Sequence, residues 1–333
     1  MKAVTYREYG TPEVLKIEEV ARPVPQDNEV LVKIHASSVT AIDMGYQRTL
    51  GLNNSGKPRR HMLGHYLAGE VEETGKDVKR FKKSDRVYGG DVWSVGAFAE
   101  YKCIPEKGVL VKIPTNLTFE EAATITYSGL TALPFLRDAG KIRKGQKVLI
   151  IGALGSIGAY AVQLARHYGA EVTGVCSTGK IDLVKSIGAS QVIDYFCDDF
   201  TKNGQTYDII FDTPAKSSFA RCKNSLTGHG RYLTTVPWPG EILQMLWTSV
   251  AGHKKGLFRP MGLRSTRKKT RDLAFLNELF STGKIKPVID RCYPLEQVVD
   301  AYRYVEKGHK KGNVVITMNT TNTSKKDADE SHY

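Results

Sequence analysis

Seven residues constrain this chain more than any others. Gly152-Ala-Leu-Gly155-Ser-Ile-Gly158 follows directly on the apolar run 148–151 and opens a helical pattern. Glycines placed between a strand and a helix let the backbone approach a pyrophosphate, whose charge then meets the free N–H groups at the helix N-terminus. The same turn could serve only close strand–helix packing. Its position inside an alternating strand and helix unit favours a dinucleotide site, with Gly152, Gly155, Ser156, Ile157 and Gly158 around the phosphates.

The rest of the chain fits around that turn. Strand-like runs at 148–151, 171–175, 192–193 and 207–211 alternate with helical patterns through Val162 and Leu164 and through Leu183 and Val184. This alternation predicts an α/β fold with a doubly wound parallel sheet of the Rossmann type. Residues 1–114 read instead as short strands, among them 29–35, 69–71 and 86–88, with few helix signals. Thr118 followed by Glu121 is a capping-box signature ahead of an Ala-rich helix. Beyond Arg264 the pattern predicts helices at 272–280 and 296–306 and strands at 288–289 and 313–317. Residues 319–333, rich in Asn, Thr, Ser, Lys and Asp, read as a disordered tail. A length of 333 residues suits two domains.

The end of the second strand bears on the choice of dinucleotide. A site for NAD usually places an Asp or Glu there, on the ribose hydroxyls. Here Glu171 begins the strand, and the end holds Ser177 and Lys180. A hydroxyl and an ammonium suit a 2′-phosphate that a carboxylate would repel, so the expected cofactor is NADPH. The plainer alternative for Lys180 is a solvated loop lysine.

Composition narrows the class without naming a partner. No apolar run reaches the ~18 residues of a membrane-spanning helix, and residues 1–4 lead straight into strand-like sequence, which makes the cytoplasm the expected compartment. Five scattered cysteines without metal or redox spacing read as reduced thiols. A net charge of +13 favours anionic partners, whether a phosphorylated cofactor, an acidic lipid surface or nucleic acid. Lys254, Lys255, Arg259, Arg264, Arg267, Lys268, Lys269 and Arg271 follow an apolar, Trp-containing stretch at 242–250. Residues 242–271 can therefore be read as a peripheral membrane contact, a nucleic-acid patch, or a helix and solvated loop that close the Rossmann domain or pack in a homodimer. The last reading is preferred because the apolar stretch is short for an anchor.

At this level of detail the chain resembles the medium-chain dehydrogenase/reductases, and within them the zinc-independent quinone oxidoreductase branch. The glycine turn carries the resemblance together with Glu171-Val-Thr-Gly-Val-Cys-Ser-Thr178, Val192-Ile-Asp-Tyr195, and Gly283-Lys-Ile-Lys-Pro-Val-Ile-Asp290 followed by Tyr293-Pro-Leu295. The likeness runs from Met1-Lys-Ala-Val4 to Asn313-Val-Val-Ile-Thr317. It implies a GroES-like β-rich substrate domain from residues 1–122 and 265–318, a Rossmann domain over 123–264, and an active site between them. It also implies cofactor contacts at Gly155, Ser156, Ile157, Ser177, Lys180 and Tyr195; Tyr195 could equally pack at a strand end.

The zinc branch of that superfamily needs about three protein ligands at its catalytic metal. Leu63-Gly-His65 resembles its Gly-His-Glu motif, but Thr40 stands where the first Cys is expected, Tyr66 replaces the Glu, and Thr126-Tyr127-Ser128 offers no later Cys. His65 is accordingly read as a hydrogen-bonded pocket or core residue, and no metal is expected. Without a Lewis acid, acceptors already electrophilic are favoured, namely quinones and α,β-unsaturated carbonyls. Residues facing the family's cleft are Thr40, Tyr46, Tyr66, Trp93, Thr126 and Tyr127; each could orient an acceptor or simply pack, and solvent or a ribose hydroxyl could supply the proton. The competing class is a cofactor-retaining structural, membrane-associated or nucleic-acid-associated protein with little turnover.

Overall fold

The computed structural model describes residues 1–48, 61–237, 240, 242–245, 248, 253–258 and 261–318. Two sheets organise it. The first runs Gln191–Asp194, Glu171–Cys176, Lys147–Ile151, Tyr207–Asp212, Leu226–Thr234, Lys255–Phe258, with every neighbouring pair parallel. Counted along the chain, that order is third, second, first, fourth, fifth, sixth, the doubly wound arrangement. Val148, Leu149 and Ile150 are all fully buried, as expected of a strand covered on both faces.

The second sheet joins the two ends of the chain. Its order is Ile289–Pro294, Asn313–Thr317, Glu29–Val39, Tyr66–Thr74, Arg86–Gly90, Leu110–Lys112, and Tyr101–Pro105 also pairs with Glu29–Val39. Asn313–Thr317 is the joint: it lies parallel to Ile289–Pro294 on one side and antiparallel to Glu29–Val39 on the other.

The helix Phe119–Pro134 lies where the two sheets meet. The expected capping box starts it: the Thr118 N–H donates to Glu121 Oε2 at 2.9 Å and the Glu121 N–H to Thr118 Oγ1 at 3.2 Å. Twelve of its residues are buried, so it behaves as a core element rather than a surface helix. One apolar cluster runs from Ala36, Ala68 and Tyr88, through Ile125, Leu130 and Leu133 of this helix, to Val148, Ile150 and Phe211.

Two expectations need correction. The first 114 residues contain a helix, Ala41–Arg48, which Thr40 and Asp43 start as a second capping box: the Thr40 N–H donates to Asp43 Oδ2 at 2.9 Å, and the Asp43 N–H faces Thr40 Oγ1 at 3.5 Å. The helix expected at 272–280 begins at Thr266 and ends at Ser281, so much of the basic segment is helical rather than a solvated loop.

Two of those cations point inward. Lys269 is buried and its Nζ lies 2.7 Å from Asp91 Oδ2. Arg264 and Arg137 share the fully buried carboxylate of Asp272, at 2.5 Å and 2.9 Å. Arg267, Lys268 and Arg271 remain exposed. Arg259, Trp247 and the expected tail at 319–333 lie outside the described residues.

Thr118→Ala should lower the unfolding free energy by about 1 kcal/mol, the usual cost of a lost cap, in urea denaturation. Asp272→Ala should cost more, about 2–4 kcal/mol, because it removes the buried carboxylate between two guanidinium groups and leaves them to share the partly exposed Asp138, which is 3.8 Å from Arg264. Equal midpoints for the two variants would show that the Asp272 network contributes no more than an ordinary cap.

Candidate functional site

The glycine turn leaves the first parallel strand in the left-handed region: Gly152 has φ +71°, a conformation open to glycine at little cost. A Cβ on Gly158 would stand 2.0 Å from the Gly152 carbonyl oxygen. Gly158 therefore lets the helix Ser156–His167 pack against the turn, while Gly155 caps that helix in an extended conformation. On the neighbouring strand, the Thr213 hydroxyl donates to the Ile151 carbonyl at 2.9 Å and ties together the two turns that diverge here.

A cavity of about 860 Å³ opens above these turns, lined by Ile151, Gly152, Gly155, Ser156, Ile157 and Thr213. It lies outside the carboxyl ends of the first and fourth strands, at the point where strand order reverses, which is where open α/β sheets take their ligands. Its volume is within the usual range of ligand pockets. Backbone kept bare by glycine, a helix N-terminus facing the cavity, and cations around it fit a dinucleotide.

Most of the expected cofactor residues meet here. Ser177, Lys180 and Tyr195 line the cavity with Gly152, Gly155, Ser156 and Ile157; Gly158 is buried beneath it. The second strand ends at Cys176, so Ser177 and Lys180 do stand where a ribose-binding acid would be sought. Burial pushes the Lys180 ammonium below its ordinary range, and Lys311 pushes the same way. Tyr195 is 53% exposed and its ring centre lies 4.6 Å from that of Phe196, also on the cavity wall. The two rings are tilted by 49°, so either one alone could offer its face to a planar base. The Asp194 carboxylate, at the end of the third strand, is occupied by the Thr178 hydroxyl and the Phe196 N–H.

Several lining residues went unnoticed in the sequence. Lys216, Arg221 and Lys310 add cations, and Arg221 is paired with Asp199 at 3.3 Å. Lys310 reaches the site from the turn before the last strand, and its Nζ contacts Ser156 Oγ. Burial, reinforced by Lys180 and opposed by Asp290, pushes its ammonium down to about 8. No local signal marks Lys310, because only the closure of the second sheet brings it here.

The expected acceptor-side residues form a second group. Asp43 is fully buried, with Oδ2 taking the Thr40 N–H and hydroxyl and Oδ1 taking the Gly64 N–H at 3.2 Å. His65, also fully buried, places Nδ1 2.6 Å from Asp43 Oδ1. Rings then follow in sequence: Tyr46 to His65 at 5.1 Å, His65 to Tyr66 at 6.1 Å, and Tyr66 to Tyr127 at 5.7 Å. Tyr127 and Ala41 reach the cavity wall. The Tyr66 hydroxyl, Thr126 Oγ1 and His65 Nε2 are buried with no hydrogen-bond partner among the described residues. Burial beside Tyr127 and Asp43 raises the Tyr66 phenol well above its usual range, so it stays protonated and can donate.

Trp93 is not brought to this group. It is 60% exposed, its indole N–H donates to the Gly262 carbonyl at 3.1 Å, and it is not among the residues lining the cavity.

The residues do not fit a catalytic zinc. His65 keeps Nε2 free, but Thr40 and Tyr66 beside it offer no thiolate or carboxylate, and no group of three or more His, Cys, Asp or Glu side chains among the described residues could hold a metal ion.

A doubly wound sheet with a glycine turn, joined to a β-rich lobe built from both chain ends, defines a nicotinamide-dependent oxidoreductase of the two-lobed kind. The chain belongs to the zinc-independent quinone oxidoreductase branch of the medium-chain dehydrogenase/reductase superfamily. Residues 26–115 match the alcohol dehydrogenase GroES-like domain and residues 187–316 match the family described as zinc-binding dehydrogenase. Over 95% of this chain and 79% of the relative it is 34% identical to a 2-methylene-furan-3-one reductase of Solanum lycopersicum. It is 31% identical to a chloroplast envelope quinone oxidoreductase homolog of Arabidopsis thaliana over 95% of this chain and 98% of that one. Among solved structures, the quinone oxidoreductase of Coxiella burnetii superposes with a TM-score of 0.84 at 26% identity, covering 96% of this chain and 99% of that one. No helix among the described residues is long and apolar enough to cross a membrane.

Purified protein should hold far less than one zinc per chain by elemental analysis and keep its activity in a strong chelator. Stoichiometric zinc whose removal abolishes turnover would require a ligand set that His65, Thr40 and Tyr66 do not supply.

Proposed function

We propose that this protein is an NADPH-dependent reductase of quinones or α,β-unsaturated carbonyls. The observation that carries the reading is a single cavity that joins an acid-free strand end, Ser177 and Lys180, to the wall formed by Tyr127. The two curated relatives named above are, by name, a furanone reductase and a quinone oxidoreductase homolog, which supports this substrate class. We assign residues 1–122 and 265–318 to the lobe that receives the acceptor and 123–264 to the lobe that holds the dinucleotide.

The reduced nicotinamide supplies the hydride. The chain's own residues bind, orient and stabilise. Gly152, Gly155, Ser156 and Ile157 cradle the pyrophosphate, Ser177 and Lys180 take the 2′-phosphate, and Tyr195 lies along the adenosine half. On the acceptor side, Tyr127 forms a wall for a flat conjugated ring, with Tyr66, His65 and Tyr46 following behind it in ring contact, while the Tyr66 hydroxyl and Thr126 Oγ1 supply unspent donors for the oxygen that gains negative charge. An unpaired buried hydroxyl is costly unless something enters to accept from it. Thr40 acts through Asp43, holding His65 and Tyr46 in place. Trp93 has no part in this arrangement.

Lys180→Ala should weaken NADPH binding by about 1–3 kcal/mol and leave NADH nearly unchanged, read by calorimetric titration. Equal affinities for the two dinucleotides in the unaltered protein would remove the assignment of Ser177 and Lys180. In an absorbance assay over quinones, enones, alkenals and simple alcohols, NADPH oxidation should appear with the conjugated acceptors, and ethanol-like alcohols should not reduce NADP⁺. Turnover of the alcohols alone would overturn the substrate class. Tyr66→Phe removes only the unpaired hydroxyl; it should lower kcat by about 10- to 1,000-fold while leaving dinucleotide affinity intact.

A further inference from the structure

We infer that Lys310 is a cofactor-binding residue: its ammonium, delivered from the lobe formed by the two chain ends, clamps the pyrophosphate held at the N-terminus of the helix Ser156–His167. The inference rests on the dinucleotide reading of the cavity, but not on the preference for NADPH.

The geometry is specific to that position. Lys310 lies in the turn between the helix Val298–Glu306 and the strand Asn313–Thr317. Its Nζ contacts the hydroxyl of Ser156, the first residue of the phosphate-turn helix, and the Gly312 carbonyl lies 3.4 Å from the same hydroxyl. Gly308 and Lys310 both line the cavity. The turn of one lobe thus sits against the anion-binding end of the other.

The energetics point the same way. The ammonium is withdrawn from water, with Lys180 adding repulsion and Asp290 giving partial relief. The Asp290 carboxylate is already engaged by the Tyr304 hydroxyl and the Lys311 N–H, both at 2.7 Å. A cation drawn in beside another cation, with a neutral hydroxyl as its direct partner, gains most from an anion placed at that hydroxyl. A pyrophosphate on the helix N-terminus would place an anion there.

Lys180 and Lys310 then divide the recognition. Lys180, at the end of the second strand, reads the phosphate that only NADPH carries. Lys310, at Ser156, meets the pyrophosphate common to both dinucleotides, so it adds affinity without choosing between them.

The test is calorimetric titration of the full chain and its Lys310→Met, Lys310→Arg and Lys180→Met variants with NADPH and with NADH. Lys310→Met should raise the Kd for both dinucleotides by the same factor, about 10- to 100-fold. Lys310→Arg should restore most of that loss, and Lys180→Met should raise the Kd for NADPH alone. The melting temperature of ligand-free Lys310→Met should match the unaltered chain, which separates lost affinity from lost folding. Unchanged affinity in Lys310→Met, or a loss confined to NADPH, would overturn the assignment. If the unaltered chain binds both dinucleotides equally while Lys310→Met weakens both, the preference for NADPH falls and the clamp stands.

Discussion

The architecture depends on the hydrogen bonding of one strand. Asn313–Thr317 lies between Ile289–Pro294 and Glu29–Val39, and by pairing with both it closes the sheet from opposite ends of the chain. Without it the residues after Gly283 would have no sheet to join. With it, the turn just before the strand is set against the phosphate turn, the Asn313 amide oxygen accepts from the Ser128 hydroxyl at 3.0 Å, and the cavity gains a wall. Placement of the cofactor-side groups therefore depends on strand pairing between residues nearly three hundred positions apart.

Local patterns carried the fold well where the relevant partners are close in sequence. The apolar run before Gly152 and the Thr118–Glu121 box both specify backbone hydrogen bonds within a few residues, and both elements were legible. The same logic would have found the helix Ala41–Arg48, since Thr40-Ala-Ile-Asp43 has the same spacing with a shorter acid. Its apolar side is poorly marked, so hydrophobic periodicity does not single it out. The family resemblance supplied what local pattern could not, above all the joining of the two chain ends into one lobe.

Charges were harder to read because their partners are remote. Arg264 and Lys269 look like members of an exposed basic run, yet Asp272, inside the helix that follows Arg264, neutralises one and Asp91 the other from far along the chain. A count of cations therefore overstated the charge offered to an anionic surface. The opposite error applies to the cavity, where Lys216 and Lys310 come from loops and Arg221 from the short helix Phe219–Cys222, none with a distinguishing sequence. Trp93 shows the limit for aromatics: its residue type suits a pocket wall, but its indole is committed to the Gly262 carbonyl.

Asp43 has a consequence for the chemistry that His65 can offer. Each carboxylate oxygen already accepts a backbone N–H, Oδ2 from Thr40 and Oδ1 from Gly64, so the side chain is fixed as an acceptor. The hydrogen between Asp43 and His65 must then reside on Nδ1. In the neutral ring this leaves the lone pair on Nε2, the atom without a partner. In that tautomer the ring presents a hydrogen-bond acceptor rather than a donor at Nε2, and the donors toward an incoming oxygen are the hydroxyls of Tyr66 and Thr126. The carboxylate that starts a helix thereby selects the tautomer of the neighbouring ring, and helix start and ring polarity cannot be altered independently.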